Sequence, residues 1–138
     1  MAQKLRLTGV VIFVTNLEKS VSFYREVLEL EIADSDATAA LLCAPDGTEL
    51  VLRATGMAGS HPLGQVGVQY VVWALPSREE LNRCERALRQ RSAYRETRIA
   101  EDTTLIEGHD PDDLVLMLTY TEGNGHPPRK LSARIYAS

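Results

Sequence analysis

Residues 7–28 carry the strongest fold signal in the chain and read LTGVVIFVTNLEKSVSFYREVL. The first eight, Leu7 to Val14, are mostly β-branched or aromatic and predict a buried strand. Thr15 then offers a helix N-cap, and Glu18 three residues later completes a capping box. Apolar residues recur at helical spacing beyond this point: Leu17, Val21, Tyr24, Val27 and Leu28. The stretch therefore predicts a strand followed directly by an amphipathic helix.

Three short strands are predicted after this helix. They are expected around residues 31–33, 38–43 and 49–52, where short apolar runs stand between polar residues. The sequence Pro45-Asp46-Gly47 is a turn signal before the last of them. The first part of the chain thus predicts one helix and four strands, within about residues 5–55.

The same order of elements is predicted a second time after the Gly-rich connection at residues 55–67. A strand is expected over Val66–Ala74, and Ser77 with Glu80 forms a second capping box before another helical stripe. Further strands are expected over Tyr94–Ile99, Thr103–Glu107 and Leu114–Tyr120, the last after the turn signal at residues 110–113. This second module covers about residues 66–120, and residues 123–138 are predicted to be an extended C-terminal arm.

An internal repeat links the two halves. Tyr24–Leu28 matches Cys84–Leu88 and Val10–Phe13 matches Tyr70–Trp73, both at an offset of 60 residues. Leu50–Leu52 matches Leu116–Leu118 at an offset of 66. Two copies of one strand–helix–strand–strand–strand unit are the simplest interpretation.

Composition excludes several classes of protein. The chain has 138 residues, 44% hydrophobic and 25% charged, with a formal charge of −4, which suits a single globular domain and gives no reason to expect a nucleic acid partner. No apolar run is long enough for a membrane span, and the first residues do not resemble a signal peptide. The two cysteines, Cys43 and Cys84, are expected to be free thiols in a reducing cytoplasm.

The opening run from Leu7 to Ser20, followed by Phe23-Tyr24 and Val27-Leu28, resembles the vicinal oxygen chelate superfamily. That superfamily includes glyoxalase I, bleomycin-resistance and fosfomycin-resistance proteins, and extradiol dioxygenases. Residues 110–118, DPDDLVLML, are similar to the end of its second module. The resemblance covers about residues 5–120. It implies an α+β fold in which two βαβββ modules form an open, cup-shaped mixed sheet with the helices outside, as one domain over residues 1–122.

The resemblance also implies where a metal would be bound. Metal-dependent members of the superfamily place one ligand on each of four strands, and these positions fall on Gly9, Val51, Gln69 and Met117. None of the four is His, Asp or Glu, the donors that divalent transition metals need in proteins. The three histidines, His61, His109 and His126, are scattered over predicted loops. We therefore predict no metal, no other cofactor and no catalytic residue.

The ligand positions also define the predicted inward face, because side chains alternate along a strand. Alternate residues on four strands then line a mostly apolar cavity. The predicted ligand-binding residues are Phe13, Glu49, Val51, Arg53, Gln69, Trp73 and Met117. Each has an ordinary structural alternative: Phe13 and Trp73 as core, Glu49 with Arg53 as an ion pair, Val51 and Met117 as packing, and Gln69 as an amide bonded to its neighbours.

Three functions stay open from the sequence. The first is a metal-free protein that sequesters a hydrophobic, planar aromatic natural product, as in the bleomycin-resistance type of drug or self-resistance protein. The second is a metal-independent enzyme of the same superfamily, an isomerase, cyclase or lyase, and the third is a catalytically silent regulatory module. The first is favoured, so the protein is not expected to be an enzyme. A cytoplasmic homodimer is expected, with Leu131, Ile135 and Tyr136 of the arm resting on the partner subunit.

Overall fold

The computed structural model describes residues 5–55 and 67–123. The chain divides into two compact units, Met1–Ser60 and His61–Ser138, here called unit 1 and unit 2. Each unit contains one helix and a four-stranded mixed sheet, in the order strand, helix, strand, strand, strand. This confirms the predicted α+β class and the repeated βαβββ order.

In unit 1 the first strand lies at one edge of the sheet and is parallel to the strand that comes last in the sequence. Its elements are β1 (Gly9–Val14), α1 (Leu17–Leu28), β2 (Glu31–Ser35), β3 (Ala39–Cys43) and β4 (Glu49–Ala54). The strand order is β1-β4-β3-β2, with β1 parallel to β4 and the other pairs antiparallel. The helix connects β1 to the antiparallel strands that follow, as a crossover connection requires.

Helix α1 starts one residue later than predicted. Its N-cap is Asn16, whose side-chain oxygen accepts a hydrogen bond from the backbone N–H of Lys19 at 3.0 Å. The prediction of Thr15 as the cap is therefore wrong, because the residue that reaches the free amide directly precedes Leu17. The apolar side of the helix buries Phe23, Tyr24 and Val27, and the helix packs against β4 and β3.

Unit 2 repeats this arrangement. Its elements are β5 (Tyr70–Ala74), α2 (Arg78–Gln90), β6 (Tyr94–Ala100), β7 (Thr103–His109) and β8 (Val115–Thr121). The strand order is β5-β8-β7-β6, and only β5 and β8 are parallel. Ser77 caps α2 by accepting a hydrogen bond from the backbone N–H of Glu80, which confirms the predicted cap.

The close packing of α2 on its sheet identifies the face that it covers. A Cβ atom added to Gly108 would lie 3.1 Å from both terminal methyl groups of Leu88 on α2. Gly108 pairs with Leu116 across the β7–β8 ladder. The face that carries Gly108 and Leu116 is therefore the one against which the helix packs.

The remaining expectations concern element bounds and segments outside the described residues. The predicted strands are all found, but β1 begins at Gly9 instead of Leu7, and β5 at Tyr70 instead of Val66. The connection at residues 56–66 and the arm at residues 124–138 lie outside the described residues, and so do His61, His126, Leu131, Ile135 and Tyr136. No described helix is long and apolar enough to cross a membrane.

Candidate functional site

Each sheet has one face opposite its own helix, here called its helix-free face. In unit 1 the strand register defines this face, because residues directly opposite each other on neighbouring strands point to the same side. Val11 lies opposite Val51, Phe13 opposite Arg53, and Gly9 opposite Glu49. The alternate residues Leu50 and Leu52 are buried towards α1. The structure therefore places Phe13, Glu49, Val51 and Arg53 on one surface, as the sequence predicts.

This surface is apolar and largely uncovered. Val11 is 62% exposed and Phe13 is 64% exposed, and both stand on the edge strand β1. Val51 is half-buried between them and Leu41 of β3. Single exposed apolar residues are ordinary, but adjacent ones on a flat sheet face form a continuous patch that can bind a ligand or partner.

Two opposite charges flank the patch. Glu49 and Arg53 are both exposed and lie four residues apart on β4. Within residues 5–55 and 67–123, neither side chain forms an ion pair or a hydrogen bond. The predicted alternative, in which Glu49 and Arg53 pair with each other, is therefore not found.

The charge of Arg53 also affects the pKa of a nearby carboxyl group, that of Asp36. The backbone N–H of Thr38 chiefly lowers its pKa, with the Thr38 hydroxyl and the Ala39 N–H next, and the Arg53 charge adds a smaller lowering. All three hydrogen bonds reach Oδ1 of Asp36, at 2.7 to 3.0 Å. The Asp36 carboxylate thus stabilises the β2–β3 turn through hydrogen bonds, and its negative charge lies near the Arg53 end of the patch.

The helix-free face of unit 2 differs from the predicted one. Met117 lies opposite Val72, and Val115 lies opposite Tyr70. Trp73 instead lies opposite Leu118, on the face that packs against α2. The prediction that Gln69 and Trp73 share a face with Met117 is therefore wrong.

The physical reason is a one-residue shift in β5, which moves every side chain of a strand to the other face. Residues 70–74 read YVVWA and are apolar at every position, so alternation cannot fix the phase of the strand. Only the pairing with β8 fixes it. In unit 1, Gly9 stands two residues before Val11, which pairs with Val51. In unit 2, Tyr70 stands two residues before Val72, which pairs with Met117. Tyr70 is therefore the residue equivalent to Gly9.

Gln69 and Trp73 have other surroundings than the predicted ones. The Nε2 group of Gln69 donates to the carbonyl of Gly67 at 3.1 Å, just before β5 begins. Trp73 is partly buried, and its indole nitrogen is buried without a hydrogen-bond partner among the described residues. Neither residue joins Met117 on the helix-free face.

Met117 itself belongs to a buried apolar cluster on this face. It is 1% exposed and packs with Leu105 and Val115, and Tyr70 lies against the same cluster. In contrast to the patch of unit 1, the centre of this face is inaccessible to solvent.

Glu107 is a candidate functional residue that the sequence reasoning missed. It lies on β7 directly opposite Met117, on the helix-free face, and is only 4% exposed. A carboxyl group is rarely buried unless it has a polar partner, and Glu107 has such an interaction among the described residues. The predicted face omitted β7, and the β7–β8 register is the signal that identifies Glu107.

His109 and the aspartates beside it form a structural turn. Oδ1 of Asp110 accepts hydrogen bonds from the backbone N–H groups of Asp112 and Leu114, at 2.8 and 3.0 Å. Nδ1 of His109 lies 3.5 Å from a carboxylate oxygen of Asp113. These contacts explain the turn motif through local hydrogen bonding.

The residues at the family's metal positions do not fit a metal ion. Gly9 and Val51 have no side-chain donor, Met117 is held in the apolar cluster, and Tyr70, the equivalent of Gly9 in unit 2, packs against the same cluster. A Cβ at position 9 would lie 3.1 Å from the carbonyl oxygen of Glu49, so this site is also crowded for a larger residue. Among the residues that the structure describes, no group of three or more His, Cys, Asp or Glu side chains could hold a metal.

Comparisons with known proteins agree with this fold. The family model of the glyoxalase/bleomycin resistance protein/dioxygenase superfamily matches residues 6–117. No curated protein sequence matches the chain significantly.

Several solved structures are similar. A glyoxylase/bleomycin resistance protein/dioxygenase domain from Frankia sp. EAN1pec has a TM-score of 0.76 at 20% identity, over 87% of this chain and 100% of that one. A glyoxalase/dioxygenase from Nostoc punctiforme has a TM-score of 0.73 at 14% identity, over 86% and 92%. A putative glyoxalase from Bacillus halodurans has a TM-score of 0.68 at 18% identity, over 83% and 94%. Because the family model matches most of this chain, the chain belongs to the glyoxalase/bleomycin resistance protein/dioxygenase superfamily.

Proposed function

We propose that this protein is a metal-free binding protein that sequesters a planar aromatic small molecule, as in drug or self-resistance. The observation that carries the proposal is the exposed apolar patch of unit 1, in which Val11 and Phe13 stand beside the charged side chains of Glu49 and Arg53. An exposed apolar surface with a few charged groups beside it is typical of sites that bind a ligand or a partner.

Phe13 is the stacking ring in this proposal. Offset stacking of two aromatic rings contributes about 0.5–1.5 kcal/mol beyond the burial of their area. Phe13 can contribute both the stacking energy and the burial of apolar area, because most of its side chain is exposed before a ligand binds. Trp73 no longer has this role, since it lies on the helix side of its sheet.

Riboflavin is a suitable planar probe for the proposal. Its fluorescence polarisation should rise saturably when it is titrated with the protein. Phe13→Ala should weaken binding by about tenfold, the equivalent of about 1.4 kcal/mol. Ile99→Ala is the matched control, since Ile99 is an apolar residue of the unit 2 edge strand and is 76% exposed. Equal affinity in Phe13→Ala and wild-type protein would contradict the proposed site.

The metal content of the purified protein is a separate test. One zinc, iron, nickel or manganese ion per chain would contradict a metal-free protein.

A metal-independent enzyme is the second candidate, and Glu107 is the observation that favours it. A buried carboxylate beside Met117 and Leu105 is the type of group that serves as a general base in an apolar site. Such an enzyme would return its substrate chemically altered, and Glu107→Gln would abolish the change. Unaltered ligand, recovered after incubation with wild-type protein, supports sequestration.

A cytoplasmic homodimer completes the proposal. Both cysteines are free thiols in the structure, as a reducing compartment favours. The dimer would be formed by two copies of this chain. Light scattering at tens of micromolar protein tests this, and a monomer would contradict it.

A further inference from the structure

Phe13 and Arg53 form a pair in which the proposed function gives a specific role to Phe13 alone, as the stacking ring. They lie directly opposite each other on the parallel strands β1 and β4, on the helix-free face of unit 1. Neighbouring strands are about 4.8 Å apart, so the aromatic ring and the guanidinium group start from adjacent positions. Both side chains are exposed.

Resting on the proposed function, we infer that the ligand is an aromatic acid: its ring stacks on Phe13 and its carboxylate binds the guanidinium group of Arg53. Arginine offers donors in a planar fork that matches a carboxylate with two parallel hydrogen bonds. Within residues 5–55 and 67–123 no carboxylate forms an ion pair with Arg53, so no described side chain uses these donors.

Negative charges on the same face restrict where an anion can bind. Glu49 lies four residues along β4 from Arg53, roughly 13 Å away, and Asp34 lies two strands from β4 in register with Val51, roughly 12 Å from Arg53. Both distances exceed the Debye length of about 8 Å at physiological salt, so their repulsion of an anion at Arg53 is screened. Asp36 is the nearer carboxylate: its Oδ1 accepts the hydrogen bonds of the β2–β3 turn, and its negative charge interacts with Arg53, which must attract a ligand anion beside it.

The opposite end of the patch lacks this combination. Glu49 faces Gly9, which has no side chain, so there is no ring beside this carboxylate. An aromatic cation placed at Glu49 would therefore lose the stacking partner. The geometry favours the Phe13–Arg53 end and a ligand with a negative charge.

Three probes of one shape test the inference: 2-naphthoate, the neutral 2-naphthamide and the cationic 2-(aminomethyl)naphthalene. Isothermal titration calorimetry should show that the naphthoate binds at least about tenfold tighter than the other two. Arg53→Gln should remove this preference, and Arg53→Lys should retain part of it. Arg95→Gln is the matched control, because Arg95 is an exposed arginine on β6 of unit 2. Phe13→Ala should weaken all three probes.

The outcomes separate the inference from the function on which it rests. If Phe13→Ala weakens every probe but Arg53→Gln leaves their order unchanged, the aromatic site stands and the aromatic acid is wrong. A cation that binds tightest also overturns the acid. If no probe binds, or if neither variant changes any affinity, both the inference and the proposed site fail. Circular dichroism and thermal unfolding would check that the variants are folded.

Discussion

In unit 1 the helix-free face of the sheet exposes Val11 and Phe13, whereas in unit 2 the same face buries Leu105, Val115 and Met117. The two sheets have the same strand order and the same pattern of parallel and antiparallel pairs. Val51 and Met117 are equivalent in this repeat, yet one is half-buried and the other is fully buried. A shared topology therefore does not fix how far a surface is exposed, since equivalent faces of the two sheets differ in the burial of their side chains.

Charged groups follow the same division. On unit 1 the charges of Glu49 and Arg53 are exposed to water, where they cost little. On unit 2 the carboxylate of Glu107, in the position equivalent to Leu41, is buried next to an apolar cluster. Recognition of a ligand is thus proposed for unit 1, and the acid–base chemistry of the second candidate function for unit 2.

The largest expected effect compares Met117→Ala with Val51→Ala. The free energy of unfolding should fall by about 2–5 kcal/mol for Met117→Ala, because a fully buried side chain leaves a cavity. The fall should be about 1 kcal/mol or less for Val51→Ala, where the side chain is half-buried. Urea denaturation followed by circular dichroism measures both, and equal losses would contradict the difference between the two faces.

A smaller effect is expected when Gly108→Ala is compared with Gly9→Ala. The new Cβ at position 108 would lie 2.7 Å from the backbone oxygen of Ala93 and 3.1 Å from Leu88, so we expect a loss of about 1–3 kcal/mol. At position 9 the nearest atom is the Glu49 oxygen, at 3.1 Å. There the reduced entropy of the unfolded chain offsets part of the strain. Thermal unfolding should rank Gly108→Ala as the less stable variant, and the reverse order would show that α2 does not pack as described.

The smallest effect concerns acid and the two exposed turns of unit 1. Backbone hydrogen bonds from Thr38 and Thr48 lower the pKa values of Asp36 and Asp46 below 3.8, with smaller contributions from the two threonine hydroxyls. Because the folded state binds a proton less readily, these carboxylates stabilise it above that pH, and the contribution is lost as the pH falls through their folded pKa values. Asp36→Ala should therefore reduce stability at pH 7 but change it little at pH 2.

The control for the acid experiment is Asp102→Ala, in the exposed β6–β7 turn of unit 2. We expect this variant to follow the wild-type protein at both pH values. A destabilisation by Asp36→Ala that is as large at pH 2 as at pH 7 would mean that the charge of Asp36 is not the cause.

Much of the fold could be predicted because local patterns were unambiguous. The run over residues 9–28 combines a β-branched strand with a helix of clear apolar periodicity, and Ser77 is a good cap next to a second such helix. The site could be predicted only in unit 1. There β4 alternates between the buried Leu50 and Leu52 and the exposed Glu49 and Arg53, so its faces are marked in the sequence. In β5 no such alternation exists, so the sequence predicts the wrong face for Trp73.

The sequence by itself determined the two βαβββ units, the absence of donor side chains at Gly9 and Val51, and the polar ends of the unit 1 patch, because each depends on residue type and local spacing. Only the tertiary structure decided the phase of β5, the burial of Met117 and the position of Glu107 beside it. These depend on pairing between strands that are distant in sequence. An apolar strand can be shifted by one residue with little change in its own local energy, so its faces are fixed by its neighbours.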